Sequence, residues 1–155
     1  MQMSRGDIEA QRRADNLERA IERLQGMLSS ASLQPTYLTT PLTSTSWDGD
    51  SFSTTAKTLI DLSAVFGVPA GVRWVLVHTR VRDSGSAGGS YFLILSPNST
   101  AGDGLVNRVE YVTNDARNEQ TMVVPCDANG DIYYQIAASG TGTTDVWLEI
   151  WGYGW

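Results

Sequence analysis

His78 is the single histidine and Cys126 the single cysteine in 155 residues. One imidazole per chain leaves no two-histidine metal site and no histidine relay within one copy. A thiol–imidazole pair would need the two residues to meet. His78, however, stands in the alternating run Leu76-Val77-His78-Thr79, and Val123-Val124-Pro125 lead into Cys126. Both read as strand positions, the thiol as a small buried hydrophobe. Asp83-Ser84-Gly85 matches the aspartic-protease triplet, but Asp and Ser beside a glycine-rich loop are ordinary turn formers. Asp127-Ala128-Asn129-Gly130-Asp131 invites a calcium reading. The EF-hand template fails, because its glycine comes too early and Ala138 stands where the last carboxylate belongs. Asn98-Ser99-Thr100 fits a glycosylation sequon and reads as a polar loop. Glycoside hydrolysis needs two carboxylates roughly 5–10 Å apart; Asp83 and Glu110 are candidates that the sequence does not bring together. No serine-hydrolase elbow, phosphate loop or dinucleotide fingerprint occurs. The expectation is a protein that is not an enzyme, with no cofactor and no metal.

Aromatic side chains are the richer signal. Val146, Leu148 and Ile150 form one face of the last alternating run; Trp147, Glu149, Trp151, Tyr153 and Trp155 form the other. In an earlier run Val75, Val77, Thr79 and Val81 read as the core face, with Trp74, Leu76, His78, Arg80 and Arg82 opposite. Three uses of Trp74, Trp147, Trp151, Tyr153 and Trp155 compete. We take burial, within the fold or between subunits, first; a platform on which sugar rings stack second; contact with a different protein third.

The elements that must position these residues follow from composition. Residues 1–28 hold five acids and five arginines, whereas the remainder holds twelve acids against five arginines and Lys57, which accounts for the net charge of −6. An acidic body repels phosphate backbones, so nucleic acid is not expected as a partner. Arginines and acids stand where a signal peptide would have an apolar stretch, and no apolar run reaches the ~18–20 residues of a membrane span. Folding in a cytoplasm is therefore expected.

Leu17, Ile21, Leu24 and Leu28 are spaced four, three, four, and the phase extends back through Ala14 and Ala10. Ala14, Ile21 and Leu28 share one seam position; Ala10, Leu17 and Leu24 share the other. This two-sevenths stripe is narrower than the face of a helix that packs on its own domain, so self-association is expected. Residues 1–30 are thus read as a coiled-coil helix. Residues 31–50, with Pro35, Pro41 and many Ser and Thr, are read as a neck with room for an edge strand. From 51 to 155 the spacing predicts strands over 51–62, 72–82, 90–96, 105–112, 119–126, 131–138 and 145–151, with no helix among them. Asn129-Gly130 predicts a hairpin, and Gly140-Thr141-Gly142 closes the last one. The fold class is mainly β: a coiled-coil helix followed by an antiparallel β-sandwich of jelly-roll kind.

The order of heptad helix (residues 7 to 28), Ser/Thr/Pro neck and β knob ending in Asp145-Val146-Trp147-Leu148-Glu149-Ile150-Trp151-Gly152-Tyr153-Gly154-Trp155 resembles small bacteriophage virion proteins: tail fibres, head fibres and decoration proteins. Ile60-Asp61-Leu62-Ser63-Ala64 followed by Val68-Pro69-Ala70-Gly71 is similar to β-sandwich modules of phage tail and capsid appendages. The resemblance covers the chain in architecture. It implies a trimer in the virion, assembled in the host cytoplasm and held to other virion proteins by its N-terminal region. The knob would face outward, attaching to a host surface such as a glycan. Capsid decoration, or a carbohydrate-binding module using the tryptophans, are the alternatives.

Overall fold

The computed structural model describes residues 5–30, 35–47, 49, 56–84, 90–110, 115–138 and 143–155; the side chains of residues 5–11, 24, 26–30, 90 and 110 lie outside that description. The chain forms two units, Met1–Leu33 and Gln34–Trp155.

In the first unit Arg5–Ser30 form helix α1, 26 residues, about 39 Å at 1.5 Å per residue. Of the seam residues, Ala14 is exposed, as are Leu17 (65%) and Ile21 (46%). Ala10, Leu24 and Leu28 belong to the helix, but their side chains lie outside the described residues.

The second unit holds two four-stranded antiparallel sheets. Its elements run in the order Thr36–Leu42 (β1), Thr58–Ile60 (β2), Leu62–Phe66 (α2), Trp74–Asp83 (β3), Ser90–Ser96 (β4), Leu105–Glu110 (β5), Ala116–Pro125 (β6), Ile132–Ala137 (β7) and Thr144–Gly154 (β8). One sheet has the order β1-β8-β3-β6, the other β2-β7-β4-β5. Alternation supplies the core. Val75, Val77, Val81, Val124, Val146, Leu148 and Ile150 face inward from the first sheet, and Ile60, Leu93, Leu95, Ile132, Tyr134 and Ile136 from the second. The inward set of β3 is the one its period-two pattern predicts, Thr79 included.

Thr79 gives the core its polar link. Its Oγ1 donates to Gln120 O (3.2 Å) and accepts from Asn107 Nδ2 (2.8 Å), while Asn118 Nδ2 donates to Asn107 Oδ1 (2.9 Å). Asn107 and Thr79 are fully buried. The cluster therefore ties β5 of one sheet to β3 and β6 of the other through satisfied hydrogen bonds.

Two expectations are corrected. The run predicted as one strand over 51–62 contributes only β2 to a sheet among its described residues, and a helix follows it directly; residues 51–55 lie outside the described residues. Asp61 caps that helix by accepting from Ala64 N (2.9 Å), and Gly67, at φ +73°, ends it in the left-handed conformation. Leu62 and Phe66 are buried.

Asn129-Gly130 does not close a hairpin, because β6 and β7 lie in different sheets. Asp127 organises the turn instead: its Oδ1 accepts from Asn129 N (2.8 Å) and Asp131 N (3.0 Å), and Asp131 Oδ1 accepts from Leu62 N (3.0 Å). Likewise β7 and β8 lie in different sheets, so no hairpin joins them; Gly140-Thr141-Gly142 itself lies outside the described residues. Among the described residues only β4 and β5 are consecutive and paired.

The edge strand for which the neck left room is β1, which pairs with β8 at the margin of its sheet. The second unit begins at Gln34, ahead of that strand.

Candidate functional site

The outward face of the β1-β8-β3-β6 sheet gathers most of the aromatic residues singled out above. Across β6, β3 and β8, one row is Thr121–His78–Glu149 and the next is Glu119–Arg80–Trp147. Side chains opposite one another in such rows touch. His78 Nδ1 lies 3.0 Å from Thr121 Oγ1, and its Nε2 lies 3.7 Å from Glu119 Oε2. Arg80 Nε donates to Glu119 Oε1 (2.8 Å), and its guanidinium carbon sits 5.5 Å from the centre of the Trp147 ring. At the far end Arg82 bridges Asp115 (2.6 Å) and Asp145 (3.2 Å). One half of the face is thus a partly exposed ion-pair ladder.

The other half is apolar, and a β-bulge shapes it. Leu76 pairs with Gly152 and Val77 with Ile150, so Trp151 is an extra residue in β8. Past that residue the faces exchange. Tyr153 pairs with Val75 and packs against the core, which removes it from the outward aromatic set where the alternation had put it. Trp155 follows Tyr153, edge-on with centroids 5.5 Å apart, and is 49% exposed. Gly152 and Gly154 now take outward positions. A Cβ on Gly154 would lie 2.5 Å from the ring atoms of Trp74, so the indole rests directly on the backbone there.

Between Trp151 and the Thr121–His78–Glu149 row lies an open groove of about 400 Å³, lined by Leu76, His78, Thr121, Glu149 and Trp151. Trp151 Nε1 donates to Glu149 Oε2 (3.2 Å), which fixes the indole against the carboxylate. Across β8 lies a smaller cleft of about 110 Å³, whose lining includes Thr43, Ser44, Trp47, Trp147 and again Glu149. No family model matches this chain, and no curated protein matches its sequence. What the groove does has to follow from its geometry.

The other candidates take structural places. His78 and Cys126 do not meet: His78 pairs with Thr121, whereas the Cys126 N–H bonds to Arg73 O (2.8 Å). Five residues of strand, about 16 Å, separate those positions. Burial pushes the Cys126 thiol up to about 12, and the residue packs against the core. Asp83 is buried at the end of β3, where it accepts from Thr144 Oγ1 (3.3 Å). Glu110's side chain lies outside the described residues. Asp127 and Asp131 spend oxygens on the turn described above. Among the described residues no group of three His, Cys, Asp or Glu is placed to hold a metal ion, and no helix is long and apolar enough to cross a membrane.

Sequence reasoning placed Trp74, Leu76, His78, Trp147, Glu149 and Trp151 on outward faces. It missed Thr121 and Glu119, which complete the rows from β6. Their alternation with Met122 and Gln120 was visible, but the register that sets them beside His78 and Arg80 was not.

Proposed function

We propose that this chain is a non-catalytic bacteriophage virion protein: a homo-oligomeric fibre, with a trimer favoured. Helix α1 is its assembly and anchoring segment, in contact with other virion proteins, and the β unit is its knob for attachment to the host surface. The observation that carries this reading is the narrow seam of α1, on which Leu17 and Ile21 are 65% and 46% exposed. Such a stripe gains stability when copies zip together, each seam residue entering a hole on its neighbour. A buried Leu or Ile contributes about 1.5–3 kcal/mol.

The strand order supports the second half of the reading. β1-β8-β3-β6 against β2-β7-β4-β5, with β4 and β5 alone among the described strands adjacent in both chain and sheet, fits the double Greek key of a jelly roll, an architecture common in viral capsid and lectin domains. That likeness concerns architecture, and the function rests on the helix and the outward face together. The face offers a surface with indoles and hydrogen-bonding groups, suited to contact rather than to bond making.

Quantitative mass spectrometry of particles purified from the producing host tests the proposal. The chain is expected there at a copy number that is a whole multiple of its oligomeric state, and antibody against the knob is expected to decorate intact particles. Absence from the particles contradicts the virion assignment, and a knob inaccessible on intact particles contradicts its role in attachment.

A further inference from the structure

We propose that the groove between Trp151 and the Thr121–His78–Glu149 row binds a neutral pyranose, with the Trp151 indole as stacking platform and the Glu149 carboxylate as acceptor of sugar hydroxyls. This deepens the attachment reading and rests on it for biological purpose, but its physical basis is separate.

The bulge sets one wall of the groove. Trp151 is the inserted residue in β8, and it lines the groove beside Leu76 and Glu149. Its volume of about 400 Å³ falls within the ~300–1,000 Å³ of small-ligand sites. The lining divides into an apolar part, Trp151 and Leu76, and a hydrogen-bonding part, His78, Thr121 and Glu149. That division selects the ligand. A purely apolar occupant would strip water from a carboxylate and an imidazole without replacing their hydrogen bonds. Phosphates, sialic acids and uronic acids bring an anion towards Glu149, and among the described residues no Lys or Arg lines the groove. A neutral pyranose presents a C–H face to the indole and a rim of hydroxyls to the polar side.

The polar groups are already oriented. Glu149 Oε2 is held by Trp151 Nε1 (3.2 Å), and among the described residues Oε1 has no hydrogen-bond partner. His78 is held by Thr121 at Nδ1 (3.0 Å) and faces Glu119 at Nε2 (3.7 Å). These side chains stand on three adjacent hydrogen-bonded strands, so little ordering cost remains at binding. Glu149 also borders the smaller cleft beside Trp147, which provides a position for a second sugar residue. A quaternary ammonium would share the attraction to Glu149 and the indole face, but it calls for a cage of several rings, and among the described residues Trp151 is the single indole in this lining.

The full-length chain, screened on an array of neutral, sialylated and uronate glycans with choline as a soluble competitor, tests the inference. We expect binding confined to neutral glycans and indifferent to choline. Trp151→Ala is expected to weaken it about tenfold or more. Glu149→Gln is expected to weaken it by a similar factor and to relax the exclusion of uronates. Trp155→Ala is expected to leave it unchanged, and circular dichroism confirms that each variant is folded. No neutral glycan bound, binding confined to anionic glycans or blocked by choline, or affinity unaltered in Trp151→Ala would each overturn the inference. So would a Trp151→Ala variant that changes oligomeric mass, since a second copy would then be the occupant. Mass measured on the same samples keeps the two proposals apart. A monomer that binds neutral glycans through Trp151 upholds the groove and refutes the fibre; an oligomer silent to them does the reverse.

Discussion

Cys126 illustrates how burial decides reactivity at the scale of one residue. With its thiol pushed up to about 12 by desolvation first, then by Asp127 and Asp131, the thiolate fraction at pH 8 falls about a thousandfold or more below that of a free cysteine. Because the more basic thiolate is also the better nucleophile, labelling by a disulfide reagent is expected to lag glutathione by about tenfold or more until denaturant is added; prompt labelling of the native protein would show an open thiol. Asp61 and Asp131 act in opposite senses. Hydrogen bonding from Ala64 N–H, then Ser63, holds the Asp61 carboxyl below its usual value. Its contribution is therefore present at neutral pH and lost as pH falls through the folded value. Burial raises Asp131, outweighing the hydrogen bond from Leu62. Its contribution is full below the unfolded value and lost as pH rises through the folded one. Asp131→Asn keeps an acceptor for Leu62 N–H, so relative to the parent its melting temperature is expected to improve from pH 4 to pH 7. A relative loss over that range would reverse the sign. Asn107→Ala removes the link between the sheets while leaving Thr79 its bond to Gln120 O and Asn118 its bond to Arg108 O, and urea unfolding is expected to show a loss of about 1–2 kcal/mol.

At the scale of elements, the strands were legible where both chemistry and period agreed. The alternations in β3 and the first half of β8 are dominated by Val, Leu and Ile, and their inward residues are the ones expected; β4 and β7 fall within the strands predicted over 90–96 and 131–138. What escaped has physical reasons. Helix α2 is five residues held by Asp61 and Gly67, too short for any period to show. The bulge leaves no mark on the alternation of Val146 to Trp155, because an inserted residue changes pairing rather than pattern. Its only trace is a pair of glycines inside a strand, which signal a bulge or a close approach. Asn129-Gly130 favoured a hairpin locally, but a turn motif does not say to which sheet the next strand returns. The groove was half legible for the same reason: its residues were on the right faces, and their neighbours depended on register. Gly154→Ala tests the close approach directly. The added methyl displaces Trp74, with an expected loss of about 1–3 kcal/mol and greater acrylamide quenching of tryptophan emission. Unchanged stability and quenching would mean that the indole does not rest on that backbone.

For the whole molecule, everything turns on whether the seam of α1 is satisfied by other copies. The β unit has its own core and ladder, and its groove would work in a single chain. The fibre reading would not. Substituting Ile21→Glu places a charge in the seam and is expected to dissociate the assembly while leaving the β unit folded. The parent protein is the sharper test. Light scattering on the full-length chain at micromolar concentration is expected to give a mass near a whole multiple of 16.9 kDa, with three the favoured multiple. A mass of 16.9 kDa itself, unchanged on raising the concentration, would contradict the account.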